Sequence, residues 1–232
     1  EGFPKVGPGP PRFKDVSTSD ASTSTPSPQR VLVTGATGYV GSRLIPRLLR
    51  DGHHVRAAVT DPDKARSKWW ADQVELVRMD VLDAATVEAA VEGMDAVYYL
   101  IHALKGEDFT TTDRESAENM AWAVAAAGVD VLVYLSGLVP DVPEAELSEH
   151  ITSRLEVERI LTGATAGIRV LTLRAAIVTG SGSTSFEVVR QISERMPVQA
   201  VPDWMDSRVQ PIAVVDVVEA LAGALSVTSE SR

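Results

Sequence analysis

The chain has no cysteine. Disulfides, thiolate nucleophiles and thiolate zinc sites are therefore excluded, and no metal centre is expected. It also lacks any apolar run approaching the roughly 20 residues needed to cross a bilayer. The first residues carry no apolar core of a secretory signal, so a cytoplasmic protein without a membrane span is expected. Basic residues are in the minority, 22 Lys and Arg against 32 Asp and Glu, for a net charge of −10. A general nucleic-acid binder needs clustered positive charge, so no nucleic-acid partner is expected. The chain does not begin with Met, which fits either processing or a chosen boundary.

Apolar residues are also nearly absent between Phe13 and Gln29, in a stretch (residues 1–29) that holds six prolines and many Ser and Thr. Such a segment buries too little surface to offset its ordering entropy, and a tail is expected there. The remaining 203 residues (30–232) form the expected domain. At 232 residues and 44% hydrophobic content, the chain suffices for a single α/β domain with a substantial core.

What the chain does contain is organised around Arg30–Asp51, RVLVTGATGYVGSRLIPRLLRD. Val31, Leu32 and Val33 make the short apolar run of a buried parallel strand. Gly35, Gly38 and Gly41 follow at G-x-x-G-x-x-G spacing. Val40, Leu44, Ile45, Leu48 and Leu49 then recur at helical spacing. A strand, a glycine turn and a helix in that order make a phosphate cradle, because backbone without Cβ atoms lets an anion approach the free N–H groups of the helix start. Gly35, Thr37, Gly38, Tyr39, Val40 and Gly41 are the candidate contacts. Asp61 lies 20 positions after Gly41, where the ribose-binding acid of a dinucleotide site is expected.

Strand signals at Val31–Thr34, Val55–Thr60, Val74–Met79, Ala96–Ile101, Val129–Ser136 and Arg169–Leu173 alternate with helical stretches. These are Gly38–Arg50, Asp63–Trp70, Ala84–Glu92, Thr110–Ala127 and Glu146–Thr162. The alternation predicts a Rossmann-type, doubly wound parallel α/β sheet with helices on both faces. Asp61 and Asp83 are expected to cap helices. From about residue 174 the pattern loosens into a helix at Ser183–Arg195, a short strand at Val198–Val201 and a last helix at Val214–Leu225. These suit a small C-terminal substrate cap.

TGATGYVG in this setting resembles the short-chain dehydrogenase/reductase superfamily, in its extended and atypical branches. MDVLD (79–83), VYYLIHAL (97–104), VYLSGL (133–138), LRAAIVTGSGS (173–183) and QPIAVVDVVEAL (210–221) resemble bacterial NmrA-like, epimerase-like NAD(P)H-binding proteins. The resemblance runs from about Arg30 to Leu225. It implies a further segment after the last helix, so a truncated chain and a short form both remain open. It also implies that Asp80 and Val81 contact adenine and that Leu100, Ile101 and His102 lie beside the cofactor ribose. Asp80 as a helix cap or solvated loop acid and His102 as a local hydrogen-bonding residue are the alternatives.

Relatives often carry an Arg where Thr60 stands, which implies NADP. Here Asp61 next to the ribose favours NAD instead, while Lys64, Arg66 and Arg43 bring positive charge. Family grounds favour NADP and the local chemistry of Asp61 favours NAD. The superfamily's catalytic Tyr-x-x-x-Lys is replaced by His150 and Arg154. Arg154 can clamp ribose hydroxyls, and His150 is either an acid/base group or a polar residue at a helix start. Ser136 occupies the place of the superfamily's substrate-orienting hydroxyl. Arg174, Arg208, Phe186 and Trp204 are candidate substrate contacts or ordinary surface and packing residues, and Trp69-Trp70 is expected to pack on the helix layer.

The expected function is an NAD(P)-dependent oxidoreductase acting on an unidentified small carbonyl or quinone substrate. A non-catalytic redox sensor is the alternative that the lost Tyr and Lys suggest, and a sugar-nucleotide epimerase is a third. Oligomeric state is not legible.

Overall fold

The computed structural model describes residues 27–102, 109–163, 167–195 and 210–227. Six strands form one parallel sheet: β1 (Arg30–Val33), β2 (His54–Val59), β3 (Glu75–Arg78), β4 (Ala96–Tyr99), β5 (Val131–Gly137) and β6 (Arg169–Ala175). Their order across the sheet is β3-β2-β1-β4-β5-β6. Val33 at the end of β1 is in register with Ala57 of β2 and Tyr98 of β4. The winding direction reverses between β1 and β4, and in such sheets a crevice opens at the carboxyl ends of the strands at that point.

The central strands β1, β4 and β5 are buried on both faces, so they read as near-continuous apolar runs rather than alternating ones. Val31, Val33, Ala57, Tyr98, Val131 and Val133 point to one face. They meet Leu44, Ile45 and Leu48 of α1 (Gly41–Arg50) and Val217 and Leu221 of the last helix. Leu32, Ala58, Val97, Tyr99, Leu132 and Tyr134 point to the other face. There α3 (Ala84–Val91), α4 (Phe109–Ala127) and α5 (Glu149–Gly163) cover them with Val87, Met120, Val124, Val157 and Leu161. Each fully buried Leu or Ile contributes about 1.5–3 kcal/mol of transfer free energy.

The second helix is shorter than the sequence suggests. α2 runs only from Pro62 to Ala65, and the chain then turns through a 3-10 segment at Ala71–Gln73. The cause is the Trp69-Trp70 pair, which splits. Trp70 is completely buried beside Ala65 and Ala71, while Trp69 is 71% exposed. Burying the one ring turns the chain out of helix. Both predicted caps form: Asp61 accepts from the Lys64 amide and Asp83 from the Ala85 amide.

A second, two-stranded parallel sheet pairs β7 (Ile177–Thr179) with β8 (Pro211–Ala213), flanking α6 (Thr184–Arg195). The helix α7 (Val214–Gly223) packs on α1, and Tyr98 Oη donates to the Leu221 carbonyl at 2.8 Å. This helix therefore belongs to the main helix layer rather than to a cap. The strand expected at Val198–Val201 lies outside the described residues, as does the N-terminal tail up to residue 26.

Candidate functional site

Thr34 links the ends of β1 and β4 at the crevice. Its buried Oγ1 donates to the Tyr98 carbonyl at 3.0 Å and accepts from the Leu100 amide at 3.0 Å. Gly35 follows with φ +61°, a left-handed conformation. A Cβ on Gly35 would lie 3.0 Å from the Leu100 carbonyl oxygen, so β1 and β4 leave the sheet almost in contact. The loop folds back so tightly that a Cβ on Gly41 would lie 2.4 Å from the Gly35 oxygen. The Gly38 amide closes the turn on Gly35 at 2.9 Å. The amides of Thr37, Tyr39, Val40 and Gly41 make no hydrogen bond among the described residues. They are unsatisfied donors at the start of α1, where the helix dipole is positive.

Above this loop lies a cleft of about 470 Å³. The structure brings Gly35, Thr37, Gly38, Tyr39, Val40, Gly41, Leu100, Ile101, His102, Ser136 and Arg154 together around it. All were singled out from sequence. Leu135, Ala175, Ala176 and Val178 complete the wall, and sequence reasoning missed them because small apolar residues carry no chemical signature. A neighbouring cleft of about 350 Å³ holds Thr60, Asp61 and Lys64, with Thr37 shared and Ser67 and Lys68 added. Lys68 lies past the end of α2, where the turn after Ala65 brings it into the same lining as Lys64.

Three predicted residues stand outside both linings. Asp80 uses a carboxylate oxygen to accept from the Leu82 amide at 3.0 Å, and its backbone binds Thr86. It secures the β3–α3 turn as a loop acid, while Asp83 is the residue that caps α3. Val81 offers its carbonyl to Asn119 Nδ2 at 2.9 Å. His150 is exposed and stacks on Phe109, ring centroids 4.5 Å apart.

Ser136 is 1% exposed, and its Oγ has no hydrogen-bond partner among the described residues. Burial pushes the Tyr134 phenol up to about 12, with the Ser136 hydroxyl and Arg154 pulling the other way. Arg154 packs against Gly137 and makes no ion pair among the described residues. A buried hydroxyl without a partner and a guanidinium without a counter-ion therefore open onto one cleft. Behind them, Ser153 Oγ donates to Asp113 Oδ2 at 2.9 Å, joining α5 to α4. His102 loses basicity chiefly through burial, helped by Arg154 and His150 and opposed by Asp113.

The other candidates are occupied elsewhere. Arg174 forms a two-point pair with Glu158, at 3.2 and 2.8 Å. Arg43 lies 4.0 Å over the Tyr39 ring and donates to the Tyr39 and Ser181 carbonyls, both at 2.8 Å. It fastens the glycine loop to the turn before α6. Phe186 is 40% exposed and outside the lining, and Trp204 and Arg208 lie outside the described residues.

This donor set suits a dinucleotide: free amides for the diphosphate, an apolar wall for a planar ring, and polar groups over it. Among the described residues no helix is long and apolar enough to cross a membrane. Comparison with known proteins agrees with the geometry. Cinnamoyl-CoA reductase 1 of Oryza sativa subsp. japonica is 33% identical over 115 residues, 47% of this chain and 34% of that protein. A 3 beta-hydroxysteroid dehydrogenase/Delta 5-->4-isomerase of Mycobacterium tuberculosis is 36% identical over 129 residues, 50% of this chain and 34% of that protein. This chain thus aligns with about a third of the length of these curated relatives. In three dimensions, the Bordetella bronchiseptica enzyme WbmH in complex with NAD+ superposes with a TM-score of 0.67. The overlap covers 85% of this chain and 72% of that one at 21% identity, which shows a shared fold. A family model described as NAD(P)H-binding matches residues 35–194, and the chain belongs to that family.

Proposed function

We propose that the protein is an NADP-dependent oxidoreductase that interconverts a small carbonyl compound and its alcohol. One observation carries this reading: the unpartnered Ser136 hydroxyl and the unpaired Arg154 guanidinium face the same cleft as the glycine loop. A buried polar group without a partner costs about 1–3 kcal/mol, which a bound ligand would recover.

In this reading the free amides of Thr37, Tyr39, Val40 and Gly41 hold the diphosphate. Arg154 binds ribose hydroxyls and adds positive charge beside the reacting oxygen. Ser136 donates to that oxygen and fixes its direction. Leu100, Ile101, Leu135 and Val178 exclude water from the reacting carbon. The bound nicotinamide supplies or accepts the hydride. The similar proteins named as a reductase and as a hydroxysteroid dehydrogenase support this reaction class.

The NADP preference rests on the second cleft. Lys64, Ser67 and Lys68 line it together with Asp61. The Asp61 carboxylate already accepts the Lys64 amide as the cap of α2, so part of its hydrogen-bonding capacity is spent. Two ammonium groups against one engaged carboxylate favour a ribose 2′-phosphate.

The test follows nicotinamide absorbance with NADPH and NADH against a panel of aldehydes, ketones and quinones. Turnover preferring NADPH supports the proposal. Coenzyme binding without turnover across the panel would replace it with a non-catalytic binding role.

A further inference from the structure

We propose that His102, at the exit of β4, transfers the proton between solvent and substrate oxygen in the reaction of this cleft. The inference rests on the oxidoreductase reading above and names a residue for a task that reading leaves unassigned. The helix position where the superfamily resemblance puts a tyrosine holds His150, but that ring is exposed and stacked on Phe109, outside the lining. His102 is in the lining, with Ser136 and Arg154. Among the described lining residues it is the only imidazole, the side chain whose ordinary titration falls in the physiological range. The Tyr39 hydroxyl is buried against Gly180.

Among the described residues, three charged or titratable groups act on His102. Arg154 and His150 of α5 disfavour the imidazolium, and Asp113 of α4 favours it. Together with burial, the first and largest influence, they leave the ring neutral at pH 7. A neutral ring is the base that alcohol oxidation requires. The hydroxyl proton passes to an imidazole nitrogen, the carbinol C–H bond delivers its hydride to the oxidised nicotinamide, and the C–O bond becomes a carbonyl. In reduction the same bonds reform in reverse, with the imidazolium giving its proton to the oxygen. Oxidation therefore runs at neutral pH, and reduction accelerates as pH falls through the His102 titration.

The experiment uses NADPH and 9,10-phenanthrenequinone for reduction, with cyclohexanol and NADP for oxidation, on wild type, His102→Gln, His150→Gln and Asp113→Asn. The expected result for His102→Gln is a fall in kcat of about 100-fold or more, with loss of the pH inflection below 6.5 and unchanged coenzyme affinity. His150→Gln keeps an inflection. Asp113→Asn still accepts from Ser153 and moves the inflection to lower pH. An NMR titration of the His102 ring in the coenzyme-saturated wild type and in Asp113→Asn must show the same downward displacement, a readout independent of turnover and of whether His102→Gln folds.

The assignment is overturned if His102→Gln keeps its kcat and inflection, or if the inflection disappears with His150→Gln. It is overturned equally if the wild type binds coenzyme but turns over neither probe. Failure to bind any coenzyme removes the underlying oxidoreductase reading as well, so the two failures are distinguishable.

Discussion

A methyl group on Gly41 would stand 2.4 Å from the carbonyl oxygen of Gly35, a contact no folded backbone accommodates without moving. The loop that presents the free amides therefore exists only because position 41 has no side chain. Gly41→Ala is expected to destabilise the fold by about 1–3 kcal/mol through overpacking. It should weaken coenzyme binding further, by displacing the amides of Tyr39 and Val40. Thermal unfolding with and without NADPH separates the two effects, since the variant should lose most of the coenzyme-induced rise in Tm.

Selectivity between coenzymes should follow charge in the smaller cleft. Replacing both Lys64 and Lys68 by Ala removes the two ammonium groups lining it and leaves Asp61 in place. NADPH affinity should fall by about tenfold or more, equal to about 1.4 kcal/mol, with NADH affinity nearly unchanged. The loss should shrink as salt is raised, because exposed charges are screened. Equal losses for both coenzymes would place the 2′-phosphate elsewhere.

The bond from Tyr98 to Leu221 ties the central strand β4 to the last helix across 123 positions of sequence. Tyr98 is fully buried, and burial pushes its phenol far above the usual range, so it stays protonated and donating. Tyr98→Phe keeps the ring and removes the donor. An expected loss of about 1 kcal/mol, read from the denaturation midpoint at unchanged m-value, measures the docking of α7.

Stability should also decline on mild acidification. The buried His53 Nδ1 accepts the Gln29 amide at 3.2 Å, which requires an unprotonated nitrogen. Burial lowers its pKa from 6.5, with Arg47 and His54 acting in the same direction and Asp51 opposing. A folded pKa below the unfolded value means that the stabilisation is complete above about pH 6.5 and is lost as pH falls toward the folded pKa. His53→Gln retains an acceptor and should flatten the fall in Tm between pH 7 and about pH 5, above the carboxylate range. His102 supplies the slope that persists, because its pKa is lowered in the same sense.

Most of the coenzyme wall was legible in sequence because the requirements are local. Apolar runs mark buried strands, and the glycines at 35, 38 and 41 mark where backbone must approach backbone. What could not be read depends on contacts between distant segments. Arg43 meets the Ser181 carbonyl 138 positions away, so its charge goes to fastening the loop rather than to the coenzyme. Helical spacing placed His150 and Arg154 on one face, yet the packing of Phe109 holds His150 out of the cleft. β7 and β8 have three residues each, too few for an alternating pattern to register. The tryptophan pair divides, one ring buried and one exposed, and adjacency in sequence carries no sign of which ring goes inside.

Isothermal titration calorimetry with NADPH, NADP, NADH and NAD tests the central claim most directly. The account predicts saturable one-to-one association with at least one of the four, strongest for the phosphorylated pair, and its loss in Gly41→Ala. Absence of any heat of association with all four, from protein that unfolds cooperatively on heating, would contradict it.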